Sequence, residues 1–404
     1  MNLSKILFVI ILAGMSFSCK ENKTRDKATS GKEVAFSPIE HSKEQLTLQL
    51  IDAEKANRIP RTIDVDGNMH WANKGFDWTE GFFPGSCWYL YEFTKDEKWK
   101  TAAEKFQALF EDHKNFTTYH DLGFVFNCSY GNGYRLTKNE VFKEVMITAG
   151  DSLMTRFDPT VGCIKSWDVD KGWQSERNWM FPVIIDNMMN LEMLFELTEL
   201  TGNKKYKEAA ITHASTTLKN HFRDDNSSYH VVDYNPETGE VRSKQTAQGF
   251  EHESAWARGQ AWGLYGYTVC YRYTKDSKYL EQAQKIADFI VSYKTLPEDG
   301  IPYWDYNAPK IPNEPRDVSA AAITVSALIE LDAYSDVEYR SIIDKILSSL
   351  ASDEYTNKTG ENKNFILKHS VGSIPHGAEI DVPLNYADYY YLEALTRYQK
   401  SYAN

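Results

Sequence analysis

A junction of fixed spacing recurs along this chain and constrains its fold more than any other feature. Its clearest copies are residues 94–99 (TKDEKW), 201–206 (TGNKKY) and 274–279 (TKDSKY), and a weaker copy is 336–339 (DVEY). In each clear copy an apolar stretch ends, an Asp or Asn stands where a helix N-cap would, and an aromatic residue follows three positions later. The junction therefore predicts the turns of helical hairpins.

The spacing of these turns indicates how many hairpins there are. The capping positions lie 107, 73 and 60 residues apart, and the first interval is long enough to hide a degenerate copy. A unit of about 60 residues fits about six times into the chain, which is typical of a repeat architecture. We predict an all-α fold, an (α/α)6 barrel built from about six helical hairpins. An open α-solenoid is the alternative; the closed ring is favoured because the candidate functional residues come from separate hairpins and need a common centre.

Charge and cysteine spacing disfavour several functions. The net charge of −12 disfavours nucleic acid as a partner, and an anionic substrate would have to be held by local cationic groups. Cys87, Cys128, Cys163 and Cys270 lie far apart without C-x-x-C spacing. A zinc site is therefore disfavoured, and buried free thiols are favoured over disulfides.

The N-terminus has the pattern of an export signal. Lys5 precedes an apolar run, residues 6–14, that is too short to cross a bilayer, and small residues lead to Cys19. We predict a lipoprotein-type signal peptide over residues 1–18 and acylation of Cys19. Because Phe17 stands where a small residue is usual, a plain cleaved signal is the alternative.

The rest of the chain is predicted to be a polar tether, residues 19–40, followed by a single globular domain, residues 41–404. No second apolar run approaches the roughly 18 residues that a membrane span needs. Membrane contact is thus expected only through the lipid anchor. We expect an exported protein, periplasmic or anchored to the outer membrane.

Aromatic residues form clusters that suit saccharide binding. They make up 14% of the chain, and many stand beside Gly and polar residues, as in 76–85 (FDWTEGFFPG) and 256–263 (WARGQAWG). Aromatic faces pack against the apolar faces of sugar rings, while carboxylates, amides and Arg bind hydroxyl and charged groups. Core packing is the alternative for any single Trp.

Asp186 is the first candidate for acid catalysis because its neighbours are nearly all apolar. We interpret Pro182 as the first residue of a helix, with Asp186 about one turn in and Asn190 on the same face. Desolvation would raise the pKa of Asp186, and the helix N-terminus would lower it. If desolvation dominates, the carboxyl keeps its proton near neutral pH and can act as a general acid. A buried structural Asp is the alternative.

Asp121, between His120 and Leu122, is the candidate for a second active-site acid. Alone it is a weak signal, since Asp is also a common helix N-cap. Together with Asp186 it supplies two carboxyls in different environments, which saccharide chemistry uses.

Three further residues are candidates for substrate contact. Arg258 and Trp262 are spaced i, i+4 and would share one helix face, with Arg258 as a clamp for a substrate carboxylate and Trp262 as a stacking platform. A structural Arg over a core Trp is the alternative. His230 could hydrogen-bond a substrate, although an ordinary surface His is the default interpretation.

With these residues in view, the chain resembles the unsaturated glucuronyl hydrolases of glycoside hydrolase family 88 over roughly residues 50–400. The resemblance rests on five motifs that keep the family's order and approximate spacing. They are residues 78–85 (WTEGFFPG), 120–124 (HDLGF), 185–190 (IDNMMN), Gln248–Gly249 leading into 256–262 (WARGQAW), and 388–395 (DYYYLEAL).

The resemblance implies roles for the site residues and no metal or organic cofactor. Asp186 would be the general acid/base and Asp121 its essential partner. Residues 171–178 look like a local insertion at the pocket rim. The positions that line the family's sugar pocket are Trp78, Trp167, His230, Gln248, Arg258 and Trp262, with Thr246 fitting less closely, while Ser370 and Ser373 would bind the uronate carboxylate.

The resemblance also implies a substrate and its chemistry. Partners would be small unsaturated uronyl oligosaccharides made by lyases, and glycosaminoglycan disaccharides are expected. Asp186 would protonate C4 of the C4=C5 bond, water would add at C5, and the resulting hemiketal would open and expel the other sugar. The alternatives are an unsaturated rhamnogalacturonyl hydrolase acting on pectin fragments, an inverting glycosidase acting on saturated sugars, and a non-catalytic glycan-binding lipoprotein.

Overall fold

The computed structural model describes residues 37–402. The predicted signal peptide (1–18), Cys19 and most of the predicted tether lie outside the described residues. The first described helix, α1, spans Pro38–Ala56, so the last three residues of the predicted tether are helical. No helix in the described range is long and apolar enough to cross a membrane.

Six pairs of helices, each an inner helix packed against an outer one, make up about half of the described chain. One inner helix consists of two short α-helices joined by a π-helical turn at residues 127–131. Written inner helix first, the pairs are α2 (Phe82–Thr94) with α3 (Glu97–Gln107), α4 (Leu122–Phe126) and α5 (Asn132–Thr137) with α6 (Glu140–Met154), α7 (Leu191–Thr201) with α8 (Lys204–Asn220), α9 (Ala257–Thr274) with α10 (Ser277–Ser292), α11 (Val318–Asp332) with α12 (Arg340–Leu350), and α13 (Asn385–Tyr402) with α1.

The inner helices form a closed ring. α11 packs against α9 and α13, and α13 packs against α2. Further contacts join α2 to α5, α4 to α7, and α7 to α9. The prediction of an (α/α)6 barrel is confirmed, and the open solenoid is wrong. The inner helices are buried on nearly every side, whereas an outer helix such as α10 buries one stripe, as its spacing of apolar residues requires.

The recurring junction forms the hairpin turns as predicted. The side chains of Asp96, Asn203 and Asp276 accept hydrogen bonds of 3.0, 3.1 and 3.2 Å from the backbone N–H two residues on, at the starts of α3, α8 and α10. The aromatic residue that follows each cap is buried in the hairpin, which fixes the angle between its helices.

Two further turns show how far the pattern extends. The degenerate copy expected in the first interval is Thr137–Phe142, where Asn139 caps α6 through the N–H of Val141 at 3.0 Å. The weak copy at 336–339 is built differently. There Tyr339, not Asp336, holds the N-cap position of α12, and its N–H donates to Asp332 Oδ1 at 2.8 Å.

Short antiparallel strands occupy the segments that lead into the inner helices. They cover one end of the ring. Ser370 and Ser373 lie in one of these strands, and His230 and Thr246 lie directly beside two others. Their pairs are β1 (Pro60–Ile63) with β2 (Met69–Trp71), β3 (Phe157–Asp158) with β4 (Cys163–Ile164), β5 (Phe181–Ile184) with β6 (Val231–Tyr234) and β6 with β7 (Val241–Gln245), and β8 (Ser370–Ser373) with β9 (Ala378–Val382).

The prediction that a helix begins at Pro182 is wrong. Pro182 lies in β5, an edge strand of its sheet, where the missing N–H of proline is tolerated. A 3-10 turn over residues 185–190 follows, and α7 begins only at Leu191. Asp186 therefore lies in a tight turn between a strand and a helix.

The four cysteines of the described chain are buried and unpaired, as predicted.

Candidate active site

The ends of the inner helices that face the strands converge on one cleft. Two adjoining cavities of about 290 and 350 Å³ share the side chains of Arg61, Trp78, Trp167 and Gln174. We call their union the cleft. Asp121 lines the first cavity, and Gln248, Arg258 and Ser373 line the second.

Asp186 is nearly buried at the start of the 3-10 turn, with 12% of its side chain exposed. Burial raises its pKa to about 7, while Arg258 and the nearby Trp262 indole favour the charged form and oppose this rise. Its Oδ2 has no hydrogen-bond partner among residues 37–402. A carboxyl that keeps its proton near neutral pH suits a general acid.

Asp121 stands at the N-cap position of α4, but its side chain makes no capping hydrogen bond. Burial and the like charge of Asp186 raise its pKa to about 8, against the attraction of Arg156. The neighbouring ring of His120 lies with Nε2 3.2 Å from Asp121 Oδ1. Burial lowers the pKa of His120 to about 3, so this ring carries no charge to stabilise the carboxylate.

His230 is buried and faces Asp186, so the default of a surface His is wrong. Its Nδ1 accepts hydrogen bonds from the backbone N–H groups of Ala247 and Gln248, at 3.1 and 3.2 Å. Burial holds its pKa well below the usual range, so the ring is neutral. The ring proton is therefore on Nε2, which lies 3.8 Å from Asp186 Oδ2. This N–H is positioned to donate to a substrate group placed between the two side chains.

Arg258 shares the first part of α9 with Trp262, as the spacing predicted, but much of its guanidinium is already engaged. Nη1 donates to Asp317 Oδ2 at 3.1 Å and to the Val371 carbonyl, and Nη2 donates to the Gly372 carbonyl at 2.7 Å. Arg258 thus fastens strand β8 to the ring. Its Nε, buried and unpartnered within the described chain, is the donor left for a ligand.

Several unpartnered buried polar atoms belong to residues of the cleft or to its neighbours. An orphaned polar group costs about 1–3 kcal/mol, so such groups persist where a ligand or ordered water satisfies them. Within residues 37–402 they include His120 Nε2, Asp186 Oδ2, His230 Nε2, Arg258 Nε, Trp262 Nε1, Ser370 Oγ and Tyr386 Oη.

Tryptophans form the walls of the cleft. Trp167 stacks on Trp179 with centroids 5.6 Å apart and meets the rings of His120 and His230 edge-on. Trp78 lies against Tyr386 at 4.9 Å. These faces suit the apolar sides of sugar rings.

The remaining predicted site residues differ in whether they line the cleft. Gln248 and Ser373 line the cleft, and Ser373 Oγ is 2.7 Å from His376 Nδ1. Ser370 is fully buried with an unpartnered hydroxyl. Thr246 uses its hydroxyl inside the chain, accepting from the Gly249 N–H at 2.8 Å.

Arg61, His376 and Tyr386 are among the cleft residues that were not predicted from the sequence. Arg61 donates from Nε to Glu379 Oε1 at 2.6 Å and from Nη1 to both oxygens of Asp77. The hairpins that carry Arg61 and His376 have no periodic signal that points to a site. Tyr386 could have been found, because it precedes the motif at 388–395 by two residues.

In the described part of the chain, no group of three or more His, Cys, Asp or Glu side chains is arranged to hold a metal ion.

Comparisons with known proteins agree with this geometry. The family described as Glycosyl Hydrolase Family 88 matches residues 51–401. An unsaturated glucuronyl hydrolase of Formosa agariphila is 42% identical over 401 residues, 98% of each chain. An unsaturated chondroitin disaccharide hydrolase of Streptococcus agalactiae is 33% identical over 373 residues, covering 90% of this chain and 91% of the relative.

Solved structures give the same result. The crystal structure of an unsaturated glucuronyl hydrolase specific for heparin superposes with a TM-score of 0.85 at 45% identity, covering 90% of this chain and 97% of that one. A Streptococcus agalactiae unsaturated glucuronyl hydrolase mutant complexed with dGlcA-GalNAc6S superposes with a TM-score of 0.74 at 31% identity, covering 89% of this chain and 90% of that one.

Proposed function

We propose a mechanism and a substrate class from the premise that this chain belongs to Glycosyl Hydrolase Family 88. It is a glycoside hydrolase that removes the 4,5-unsaturated uronic acid from the non-reducing end of lyase-generated oligosaccharides. The roles of individual residues below are our proposal, supported by their geometry in the cleft.

Asp186 acts as the acid and then the base. Its carboxyl, which burial keeps protonated near neutral pH, gives the proton to C4 of the C4=C5 bond. The resulting carboxylate takes a proton from a water molecule whose oxygen bonds to C5. The product at C5 is a hemiketal, which opens and expels the other sugar. The proton that Asp186 lost is thereby restored.

Other side chains of the site position the substrate and the water for this step. They are Asp121, His230 and the tryptophans of the cleft walls. Asp121 lies beside Asp186 and orients water or a sugar hydroxyl. His230 donates its Nε2 proton to the substrate and cannot compete as an acid, because its ring is neutral. The indole rings of Trp78 and Trp167 hold the sugar between the carboxyls and exclude bulk water.

A carboxylate on the substrate must be bound by the few cationic and hydroxyl donors of the cleft. The Nε of Arg258 and the Oγ of Ser370 are buried without partners in the described chain, and Ser373 lines the same cavity. We assign the uronate carboxylate to this cavity, because a buried guanidinium favours an anion and the carboxylate of Glu379 there is paired with Arg61. The adjoining cavity carries Asp77, Asp121 and Asp168.

The observation that carries the proposal is a pair of carboxyls with raised pKa values: Asp121 on the lining of a cleft walled by Trp78 and Trp167, and Asp186, nearly buried and close enough to act on the charge of Asp121. The test follows the ultraviolet absorbance of the conjugated double bond in unsaturated heparin and chondroitin disaccharides. Heparin disaccharides come first, since the 45% identical structure is described as specific for heparin. We expect wild-type protein to remove the absorbance and Asp186→Asn to leave it unchanged.

Other outcomes separate the alternatives. Turnover of unsaturated pectin fragments alone would identify a rhamnogalacturonyl hydrolase. Turnover of saturated sugars without lyase treatment would indicate an inverting glycosidase. Binding without turnover of any substrate, by well-folded protein, would indicate a glycan-binding protein and end the enzymatic proposal.

We also propose export and lipid anchoring at Cys19, which the sequence supports through the apolar run at 6–14 and the small residues before Cys19. The expected result is a mature chain that begins with a diacylated Cys19, detectable by mass spectrometry. Cys19→Ala should move the protein from the membrane fraction to the soluble fraction. Wild-type chain that starts elsewhere without lipid would contradict the proposal.

A further inference from the structure

The N-terminal turn of α4 is capped in an unusual way. In an ordinary cap, the side chain at the N-cap position accepts from the backbone N–H two or three residues on. Asp96, Asn139 and Asp276 do this with ψ angles of 114°, 114° and 118°. Asp121 occupies the same position before α4, but its ψ is 12° and it makes no capping bond.

The N–H that Asp121 leaves unbound is satisfied from another part of the chain. Asn190 Oδ1, 67 residues away, accepts from Gly123 N at 2.9 Å. Gly123 is the second residue of α4, so its N–H is one that an N-cap side chain normally binds. Asn190 thus does for α4 what Asp121 does not.

The position of Asn190 is itself fixed by a buried network. Its Nδ2 donates to Asn187 Oδ1 at 3.0 Å, and Asn187 Nδ2 donates to the Ile164 carbonyl at 2.7 Å and to Ser166 Oγ at 3.0 Å. Asn190 and Asn187 are fully buried in the turn that carries Asp186. The network therefore ties the Asp186 turn to the helix that follows Asp121.

Close packing at Gly123 completes the arrangement. A Cβ at this position would lie 2.4 Å from Asn190 Oδ1 and 2.5 Å from its Cα. Only glycine lets the turn and the helix approach this closely.

We propose that Asn190 is a positioning residue, a surrogate N-cap for α4 that leaves the Asp121 carboxyl free to face the cleft beside Asp186. If Asp121 capped its own helix, the Gly123 N–H would bind and stabilise its carboxylate form, and the carboxyl would turn away from the substrate. This inference rests on the proposed function, because it assumes that Asp121 serves the reaction.

The effect of a capping hydrogen bond on the pKa of Asp121 depends on the charged groups around its carboxyl. The charged and titratable groups that face it are His120, Asp186, Arg156 and Asp77. Arg156 is the sole cation of this set, and it also pairs with Asp168. A capping N–H would therefore add a strong interaction that favours the charged form of Asp121 and would lower its pKa.

The test compares Asn190→Ala and Asn190→Asp in the dependence of kcat on pH, using an unsaturated disaccharide. We expect Asn190→Ala to lower kcat by roughly 30-fold with KM changed less than about threefold. One limb of the pH profile of kcat is expected to report the titration of Asp121, and it is identified by its absence in Asp121→Asn. In Asn190→Ala this limb should move to lower pH, because Asp121 caps α4 in that variant. In Asn190→Asp the same limb should move to higher pH, because the new carboxylate still accepts from Gly123 but repels the charged form of Asp121.

A matched control separates positioning from loss of stability. Asn357 is also a buried Asn that joins chain segments, donating to the Phe365 and Leu367 carbonyls at 3.0 and 3.1 Å. Asn357→Ala should lower the melting temperature and keep the wild-type pH profile. An Asn190→Ala variant that loses stability but keeps the wild-type limb would overturn the proposal.

A crystal structure of Asn190→Ala gives a readout independent of turnover. We expect an Asp121 carboxyl oxygen within hydrogen-bond distance of Gly123 N; an Asp121 carboxyl in the wild-type position would refute the surrogate cap. If wild-type protein were inactive on every unsaturated substrate, the proposed function would be wrong. The position of the Asp121 carboxyl in the Asn190→Ala crystal structure would then still decide whether Asn190 is a surrogate cap.

Discussion

Two regions of the barrel bury carboxyl groups, and the pKa of the buried carboxyl is raised in one region and lowered in the other. In the cleft, burial raises the pKa of Asp121 to about 8 and that of Asp186 to about 7. The second region, which we call the charged cluster, consists of Glu192, Arg272, Glu330, Glu393 and Arg397. Most of it lies in the C-terminal halves of inner helices, away from the strands.

In the charged cluster, arginine side chains offset the effect of burial on the carboxyl pKa. Arg272 Nε donates to Glu330 Oε1 at 2.6 Å, and Arg397 Nη1 lies 3.1 Å from Glu330 Oε2. Burial acts to raise the pKa of Glu330, but the two guanidinium groups lower it to about 2. Glu393 accepts from Tyr89, Tyr265 and Ser326 at 2.7–3.0 Å.

The difference teaches that burial alone does not set the charge of a carboxyl in this protein; the partners do. Glu196, on the same helix as Glu192, shows what a like charge adds: burial first, and the charge of Glu192 second, raise its pKa. The charged cluster uses ion pairs to hold helices together. In the cleft, Arg61 is ion-paired with Asp77 and Glu379, whereas Asp121 and Asp186 form no ion pair with a Lys or Arg of residues 37–402, which suits them to proton transfer.

The largest effect is expected from Asp186→Asn. Turnover should fall by about 10³-fold or more, because the amide cannot supply the proton. The folded state should lose little stability, since a nearly buried carboxyl with few partners is removed. Absorbance loss of the unsaturated disaccharide and thermal unfolding measure the two quantities. Activity within tenfold of wild type would remove Asp186 from the mechanism.

Asp121→Asn should reduce turnover by about 10²-fold and change how stability depends on pH. The folded pKa of Asp121 lies above its unfolded value, so its contribution favours folding at low pH and is lost as pH rises. The loss runs from about pH 4 to about pH 8, at about 1.4 kcal/mol per pH unit.

Chemical denaturation at several pH values between 4 and 9 tests this sign. The Asn variant should have a flatter dependence of the unfolding free energy on pH than wild type. An unchanged slope would mean that Asp121 is hydrated and ordinary in its titration.

Arg272→Met is expected to do the opposite of the cleft variants: it should lower stability strongly and change activity little. It leaves Glu192 and Glu330 without their main cation, and breaking such a buried pair costs about 3 kcal/mol. Urea unfolding should show this loss, while kcat at a temperature where the variant is folded stays within about twofold of wild type. A fall in kcat comparable to that of Asp121→Asn would break the division between the two regions.

Tyr386→Phe is expected to have the smallest effect. Its hydroxyl lines the cleft and is buried without a partner in the described chain, so its loss should raise KM about fivefold, or about 1 kcal/mol. Tyr391→Phe is the matched control, because that hydroxyl is also buried and unpartnered but lies outside the cleft. Equal KM changes in both variants would exclude a specific contact by Tyr386.

The sequence was sufficient to predict features that depend on neighbours along the chain. The hairpin junctions could be predicted because cap, helix and buried aromatic lie within six residues of each other. The pairing of Arg258 with Trp262 on one helix face followed from helical spacing alone. The family resemblance supplied the common centre that local patterns could not.

Features that depend on distant partners could not be predicted. Pro182 has a fixed φ that suits either a first helical turn or an edge strand, and pairing with Asp233, 51 residues later, decides for the strand. The engagement of Arg258 depends on Asp317, 59 residues away. Asp121 had the sequence signature of an N-cap, and only the structure revealed that Asn190 takes over that role.

The pairing of α13 with α1 joins the two ends of the described chain. Gln45 in α1 donates to the Asn357 and Phe365 carbonyls, 312 and 320 residues away, at 3.0 and 3.1 Å. In biosynthesis α1 must therefore wait until residues 357–402 have been made before these partners exist. Removal of α13 would open the ring and expose the side of α1 that packs against it. The order of synthesis thus makes the docking of α13 the step that closes the ring formed by α1–α12.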